Sequence, residues 1–163
     1  MSEVCIIGGG ASGLMAALTA LSDPRNRVTL LERQGRVGRK LLSTGNGRCN
    51  LSNRHASPAH YHGADPDFCR PALEAFPVAE TLRFFHQLGL VTVEEPDGKL
   101  YPRSNTANSV LDVLRLALEG QKVEAAEDAV KDPYVLEFLG LKELPEYSEG
   151  ELESRIIDHL QQF

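Results

Sequence analysis

The chain has 163 residues, 17 Lys+Arg against 23 Asp+Glu, 42% hydrophobic and 25% charged, proportions that exclude collagen, low-complexity disorder and a disulfide scaffold. The net charge of −6 is unevenly placed: residues 1–119 carry 13 basic and 12 acidic side chains (+1), whereas residues 120–163 carry 4 and 11 (−7). This shift marks Glu119/Gly120 as an expected boundary within a length that can bury one core but not two.

In chain order, Glu3 to Gly8 reads as a short apolar strand, Ala11 to Ser22 as an Ala/Leu-rich helix, and Arg27 to Leu31 as a second buried strand after the Asp23-Pro24 break. These make one β-α-β unit. From Glu32 to about Ala75 periodicity fades. Six basic residues (Arg33, Arg36, Arg39, Lys40, Arg48 and Arg54) occur there with no acidic residue before Asp65, and a loop of this size in a compact domain is usually functional or disordered. Val78 to Leu88 predicts a helix with one apolar face. Val91 to Glu94, the turn Pro96-Asp97-Gly98 and Lys99 to Tyr101 predict a hairpin. Asn108 to Leu118 predicts a further helix with Val110, Leu111, Leu114 and Leu118 on one side. Beyond Gly120 come a polar acidic stretch, an apolar cluster at Tyr134–Leu139, and a final helix. Ser148 and Glu151 form its capping box, and Leu152, Ile156 and Leu160 its apolar stripe.

The motif Gly8-Gly9-Gly10-Ala11-Ser12-Gly13 fits G-x-G-x-x-G, and its setting makes it informative. It follows a strand, opens a helix, and precedes Glu32 by 19 residues counted from Gly13, near the ~20 that a dinucleotide fold needs. Gly8 permits the tight turn, Gly10 the approach of backbone to a pyrophosphate, and Gly13 close packing of helix on strand. The helix start supplies free N–H groups and the positive end of its dipole. Glu32 can accept hydrogen bonds from both hydroxyls of an adenosine ribose, which selects against a 2′-phosphate and so against NADP at this site. The Gly-, Ser- and Arg-rich loop from Gly35 to Asn50 reads either as a ligand loop whose cations offset a diphosphate or as a solvated basic loop.

Other residues carry less. Cys5, Cys49 and Cys69 are odd in number and lack CxxC spacing, so neither zinc nor a disulfide framework is expected, and no metal site is assigned to His55, His60, His62 and Cys69. Cys49 reads as a packed loop cysteine, with a low-pKa thiol beside the cations as the alternative. His86 reads as a structural contact. No stretch approaches the ~18 apolar residues of a membrane span, and Val4–Ile7 is too short for a signal-peptide core. A cytoplasmic chain without membrane contact is expected. Acidic balance and 6% aromatics give nucleic acid no expected footprint.

The segments VCIIGGGASGLMAA, LLERQGRVGRKLLSTGNGRCNLSN and TLRFFHQLGLVTVEEPDGKLYPRSNTANSVLDVL closely resemble the N-terminal part of the BaiN-like, aminoacetone-oxidase-like family of NAD(P)/FAD-dependent oxidoreductases. That resemblance implies FAD in the Rossmann site, with NAD(P)H as a candidate electron donor. It implies Gly8, Gly10, Ser12 and Gly13 at the pyrophosphate, Glu32 at the adenosine ribose and Arg33 at the adenine edge. Lys40, Thr44, Gly45 and Asn50 fall to the diphosphate, ribityl and flavin side. No catalytic acid or base is assigned. Members of the family are much longer, continuing into a cap domain before completing the sheet. The stretch from Val130 to Phe163 resembles the opening of the nuclease domain in YhcG-like proteins of the PDDEXK class.

The combined expectation is an α/β fold. Residues 1–119 form an incomplete Rossmann-type β-α-β unit with extra helices and a hairpin, and residues 120–163 form a helical, nuclease-like C-terminal segment. The function expected is FAD binding within a truncated and fused flavin-dependent oxidoreductase. The alternative is a non-enzymatic interaction module whose C-terminal helix docks on a protein partner, and DNA cleavage ranks last.

Overall fold

The computed structural model describes residues 2–119 together with the backbone of residues 122–125. β1 (Ser2–Ile7) runs into a tight turn at Gly8, and α1 (Ala11–Leu21) leads back to β2 (Asn26–Glu32). α1 forms because Ala and Leu dominate it; it ends where Ser22 and Asp23 donate their amides to the Thr19 and Ala20 carbonyls ahead of Pro24. β1 and β2 are parallel, with Val4 opposite Val28 and Ile6 opposite Leu30. Parallel strands joined in sequence need a long crossover, here a helix, and α1 covers β2 with Leu14 and Ala17, both fully buried.

The basic stretch that sequence left without periodicity holds short elements: α2 (Arg39–Ser43), the two-residue strand β3 (Ser52–Asn53) and α3 (Arg70–Ala75). The expected helix follows as α4 (Val78–Gln87). Its end is fixed by Gly89 at φ +88, with the Leu90 N–H on the Phe85 carbonyl at 2.9 Å, a left-handed stop whose flanking Phe85 and Leu90 are buried together. The hairpin is β4 (Thr92–Glu94) and β5 (Lys99–Pro102), and β3 pairs on the far side of β5 to make an antiparallel sheet ordered β3-β5-β4. α5 (Ala107–Ala117) opens with the Thr106 hydroxyl accepting from the Asn108 N–H. Val110, Leu111, Leu114 and Leu118 are buried as their spacing requires. They join Leu14, Ala17, Val28, Leu30, Leu41 and Phe85 in a single core, each large side chain there contributing about 1.5–3 kcal/mol.

The mixed α/β, partly Rossmann-type reading holds, with one correction. β6 (Lys122–Ala125) lies beyond Glu119/Gly120, in the stretch read as polar and helical, and pairs parallel with β2, so that the sheet runs β1-β2-β6. Three parallel strands therefore stand where two were expected. The capping box at Ser148, the Leu152/Ile156/Leu160 stripe and the nuclease-like stretch lie outside the described residues.

Candidate functional site

The carboxyl ends of β1 and β2 and the start of α1 meet at the glycine turn. Gly8 takes φ +97, which only glycine adopts without strain, and its N–H donates to the Leu31 carbonyl at 2.8 Å. Gly13 is buried, and a Cβ there would lie 1.8 Å from the Gly8 carbonyl oxygen. Helix and turn therefore touch backbone to backbone. Gly10, by contrast, has nothing within 4 Å of a Cβ position. No side chain caps α1, no acidic residue occupies its first turn, and the exposed Ser12 lies within that turn. The opening N–H groups of such a helix lack internal partners. The turn thus offers an open, donor-rich cradle that a side chain at position 10 would fill, and this geometry fits the pyrophosphate of a dinucleotide.

Glu32, half-buried at the end of β2, ties the turn in place: Oε2 accepts from the Gly9 N–H at 2.7 Å and Oε1 from the Gln34 N–H at 2.9 Å. Each carboxylate oxygen keeps a further lone pair, so capacity to accept from ribose hydroxyls persists beside this clamp. The clamp itself was not evident from spacing. Arg33 follows at the strand end, exposed. Val37 closes over Gly9, and the Gly38 N–H donates to the Gly9 carbonyl at 2.7 Å, so that α2 starts beside the turn and carries the exposed Lys40.

The remaining expected contacts lie in the loop after α2, which packs on β5 instead of on the turn. The Thr44 hydroxyl donates to the Leu41 carbonyl at 2.7 Å. Gly45 takes φ +54, and a Cβ there would come 2.7 Å from the Asn50 amide nitrogen and 3.3 Å from the Tyr101 ring. With its nitrogen facing the two carbonyls, the Asn50 side chain donates to Ser52 at 2.7 Å and Leu100 at 3.2 Å. Backbone is left-handed at Asn46, Gly47 and Cys49 as well. Sequence reading missed the device that holds this loop: Arg48 stacks 3.9 Å above the Tyr101 ring while bonding Asn105 and Glu95. Paired acids in the hairpin opposite an acid-free basic loop were the available signal.

Two of the six cations between Arg33 and Arg54 are committed to the hairpin. Arg48 pairs with Glu95, and Arg54 with Glu94 at 2.8 Å, because the hairpin supplies the carboxylates that the loop lacks. Cys49 is a packed cysteine: burial pushes its thiol up from the ordinary range, a hydrogen bond with Thr44 opposing in part. Burial does the same at Cys5. His86 makes a structural contact with the Thr92 hydroxyl at 3.1 Å. Among the described residues, no three His, Cys, Asp or Glu side chains gather as a metal site, and no helix is long and apolar enough to cross a membrane.

A family model, the HI0933-like protein Rossmann domain, matches residues 2–133. The chain belongs to the HI0933-like family. That match crosses Glu119/Gly120, takes in β6, and supports the N-terminal resemblance at the level of a Rossmann-type oxidoreductase family. Across 125 residues the chain is 49% identical to the 3-dehydro-bile acid delta(4,6)-reductase of Clostridium scindens, covering 76% of this chain and 30% of the reductase. Across 112 residues it is 32% identical to the ribosomal RNA dihydrouridine synthase of Escherichia coli, covering 69% of this chain and 28% of that enzyme. The crystal structure of Thermovibrio ammonificans THI4 aligns at 19% identity and a TM-score of 0.42, over 76% of this chain and 38% of that one. This HI0933-like chain thus spans less than a third of these curated relatives.

Proposed function

We propose that the chain is the FAD-binding part of a flavin-dependent oxidoreductase that reduces an unsaturated substrate. The observation that carries this reading is the glycine turn, in which Gly8 makes the bend, Gly13 seats the helix on it and Gly10 leaves the space a pyrophosphate requires. FAD, when bound, would supply the electron-pair chemistry at its ring, and the chain's own residues would bind and orient it. In this reading Gly8, Gly10, Ser12 and Gly13 receive the pyrophosphate through backbone N–H groups, with Glu32 on the adenosine ribose and Arg33 at the adenine edge. Lys40 offsets the diphosphate charge, and Thr44, Gly45 and Asn50 shape the wall on the ribityl and flavin side. NAD(P)H is the proposed electron donor. Reduction is proposed because one relative is named a reductase and the other makes a dihydro product. Beyond the family match, residues 134–163 carry 2 basic and 7 acidic side chains (−5), which supports a second, acidic unit there, where a protein partner would dock.

Purification of the full chain tests the reading. A yellow protein that releases stoichiometric FAD on denaturation, and takes it up again after stripping, is the expected result. A folded, colourless chain that gives no saturable change in flavin fluorescence on addition of FAD overturns it.

A further inference from the structure

Thr44 to Asn50 forms an improbable piece of backbone. Gly45, Asn46, Gly47 and Cys49 take φ values of +54, +55, +81 and +59, and two of these residues carry a Cβ that disfavours such angles. Strained residues of this kind persist where surrounding contacts fix them. Within the loop those contacts are few: the Arg48 N–H reaches the Gly45 carbonyl at 3.1 Å and the Cys49 N–H the Thr44 carbonyl at 3.0 Å. Outside it, Thr44 bonds the Leu41 carbonyl and Asn50 the Ser52 and Leu100 carbonyls at the loop's two ends, and Arg48 reaches from its middle. Nε bonds the Asn105 side chain, Nη2 bonds Glu95 Oε1, and the guanidinium lies 3.9 Å from the Tyr101 ring centroid. One half-buried side chain, 33% exposed, thereby joins the loop to the turn after β4, to β5 and to the approach to α5. Asn105 itself sits at φ +59.

We propose that Arg48, although it sits in a basic loop beside a dinucleotide site, is a positioning residue that fixes Thr44–Asn50 through Glu95 and does not itself bind the diphosphate. Two of its three nitrogens are already committed, one face of its plane is covered by Tyr101, and its charge is matched by the Glu95 carboxylate. A guanidinium so engaged has lost the free fork that phosphate recognition uses. The fork geometry matters here more than the charge, so lysine cannot replace it. The inference rests on the flavin reading for what the loop serves, but the lock itself can be measured without any ligand.

The test uses the full chain with Arg48→Lys, Glu95→Gln and the double variant, read by FAD titration at several salt concentrations and by amide hydrogen exchange of the flavin-free protein. Each single variant is expected to weaken FAD binding about tenfold. The double variant should be no weaker than the worse single, and the salt dependence of binding should stay unchanged. Without flavin, exchange across residues 45–50 should quicken in each variant while α1 stays protected, the latter also showing that the variants fold. Should α1 lose protection, Asn105→Gly, which keeps the left-handed backbone there and removes the exposed side chain that Nε bonds, replaces them and is expected to quicken exchange over the same residues. The proposal is overturned if Glu95→Gln binds FAD like the unmodified chain while Arg48→Lys binds weakly with a shallower salt dependence, since Arg48 would then be a phosphate ligand. It is equally overturned if exchange over residues 45–50 is unmoved. An unmodified chain that binds no FAD defeats the flavin reading alone, and the exchange result still decides the lock.

Discussion

A methyl group added at Gly13 would sit 1.8 Å from the Gly8 carbonyl oxygen, whereas one added at Gly10 meets nothing within 4 Å. The first obstacle is backbone, which cannot swing aside, so Gly13→Ala must push α1 off the turn. A loss of about 3 kcal/mol is expected, the upper end for overpacking, seen as a lowered denaturation midpoint. Gly10→Ala keeps an allowed extended conformation (φ −77, ψ −173) and should cost no more than about 1 kcal/mol, its place at the helix cap being the reason for any loss. It should nonetheless abolish FAD uptake by filling the cradle. A Gly10→Ala chain that binds FAD normally would refute the placement of the pyrophosphate. Cys49 yields a pH prediction. Its thiol is raised by burial in the folded chain, so its contribution to stability is complete below the unfolded thiol's value and is lost as pH climbs through the folded one. Denaturation midpoints of the unmodified chain should therefore fall above about pH 9. Because burial raises the Cys5 thiol in the same way, the measured quantity is the difference from Cys49→Ala, which should fall less steeply over the same range.

The elements that sequence revealed are those whose geometry is local. The β-α-β unit, α4, the hairpin and α5 each follow from spacing within about a dozen residues, and the roles read for Gly8 and Gly13 follow from which residue type each backbone position tolerates. β6 escaped notice because Lys122–Ala125 is four residues containing Ala and Glu, poor strand formers, and its pairing partner lies at Thr29–Glu32, far away in sequence. The loop cations were visible as composition, but their commitment to Glu94 and Glu95 depends on where β3 docks on β5, a long-range contact without a periodic signature. α2 is a similar case. Five residues cannot stabilise a helix alone; this one is held by its start beside Gly9 and by packing on α5. Gly38 is the joint, at φ +72 and with a Cβ position 2.3 Å from Leu111 Cδ1. Gly38→Ala should therefore cost about 2–3 kcal/mol, strain and crowding together. Gly35→Ala, in the same loop with nothing within 4 Å, should stay within about 0.5 kcal/mol of the parent. Equal midpoints for the two variants would show that α2 is not anchored there.

For the whole molecule, the charge step at Glu119/Gly120 and the edge of the sheet fall at different places. Charge divides the chain at residue 119, yet β6 is added to β2 by residues 122–125 and the family match continues to residue 133. Backbone pairing is indifferent to net charge, so an acidic segment can begin with a strand that extends its neighbour's sheet. A chain ending at Glu119 would leave one edge of β2 unpaired along Thr29–Glu32, the stretch containing buried Leu30 and Leu31 and the carboxylate that clamps the glycine turn. Four residue pairs lose their ladder, and at about 1 kcal/mol net per hydrogen bond the expected loss is about 2–4 kcal/mol. A chain ending at residue 133 keeps the ladder and should unfold at the same midpoint as the full chain. FAD affinity should divide the same way, since Glu32 closes the turn from the end of the strand that β6 supports. If the chain ending at Glu119 proved as stable and as tight for FAD as the one ending at 133, the charge step would be the working boundary of the domain and β6 an ornament to it.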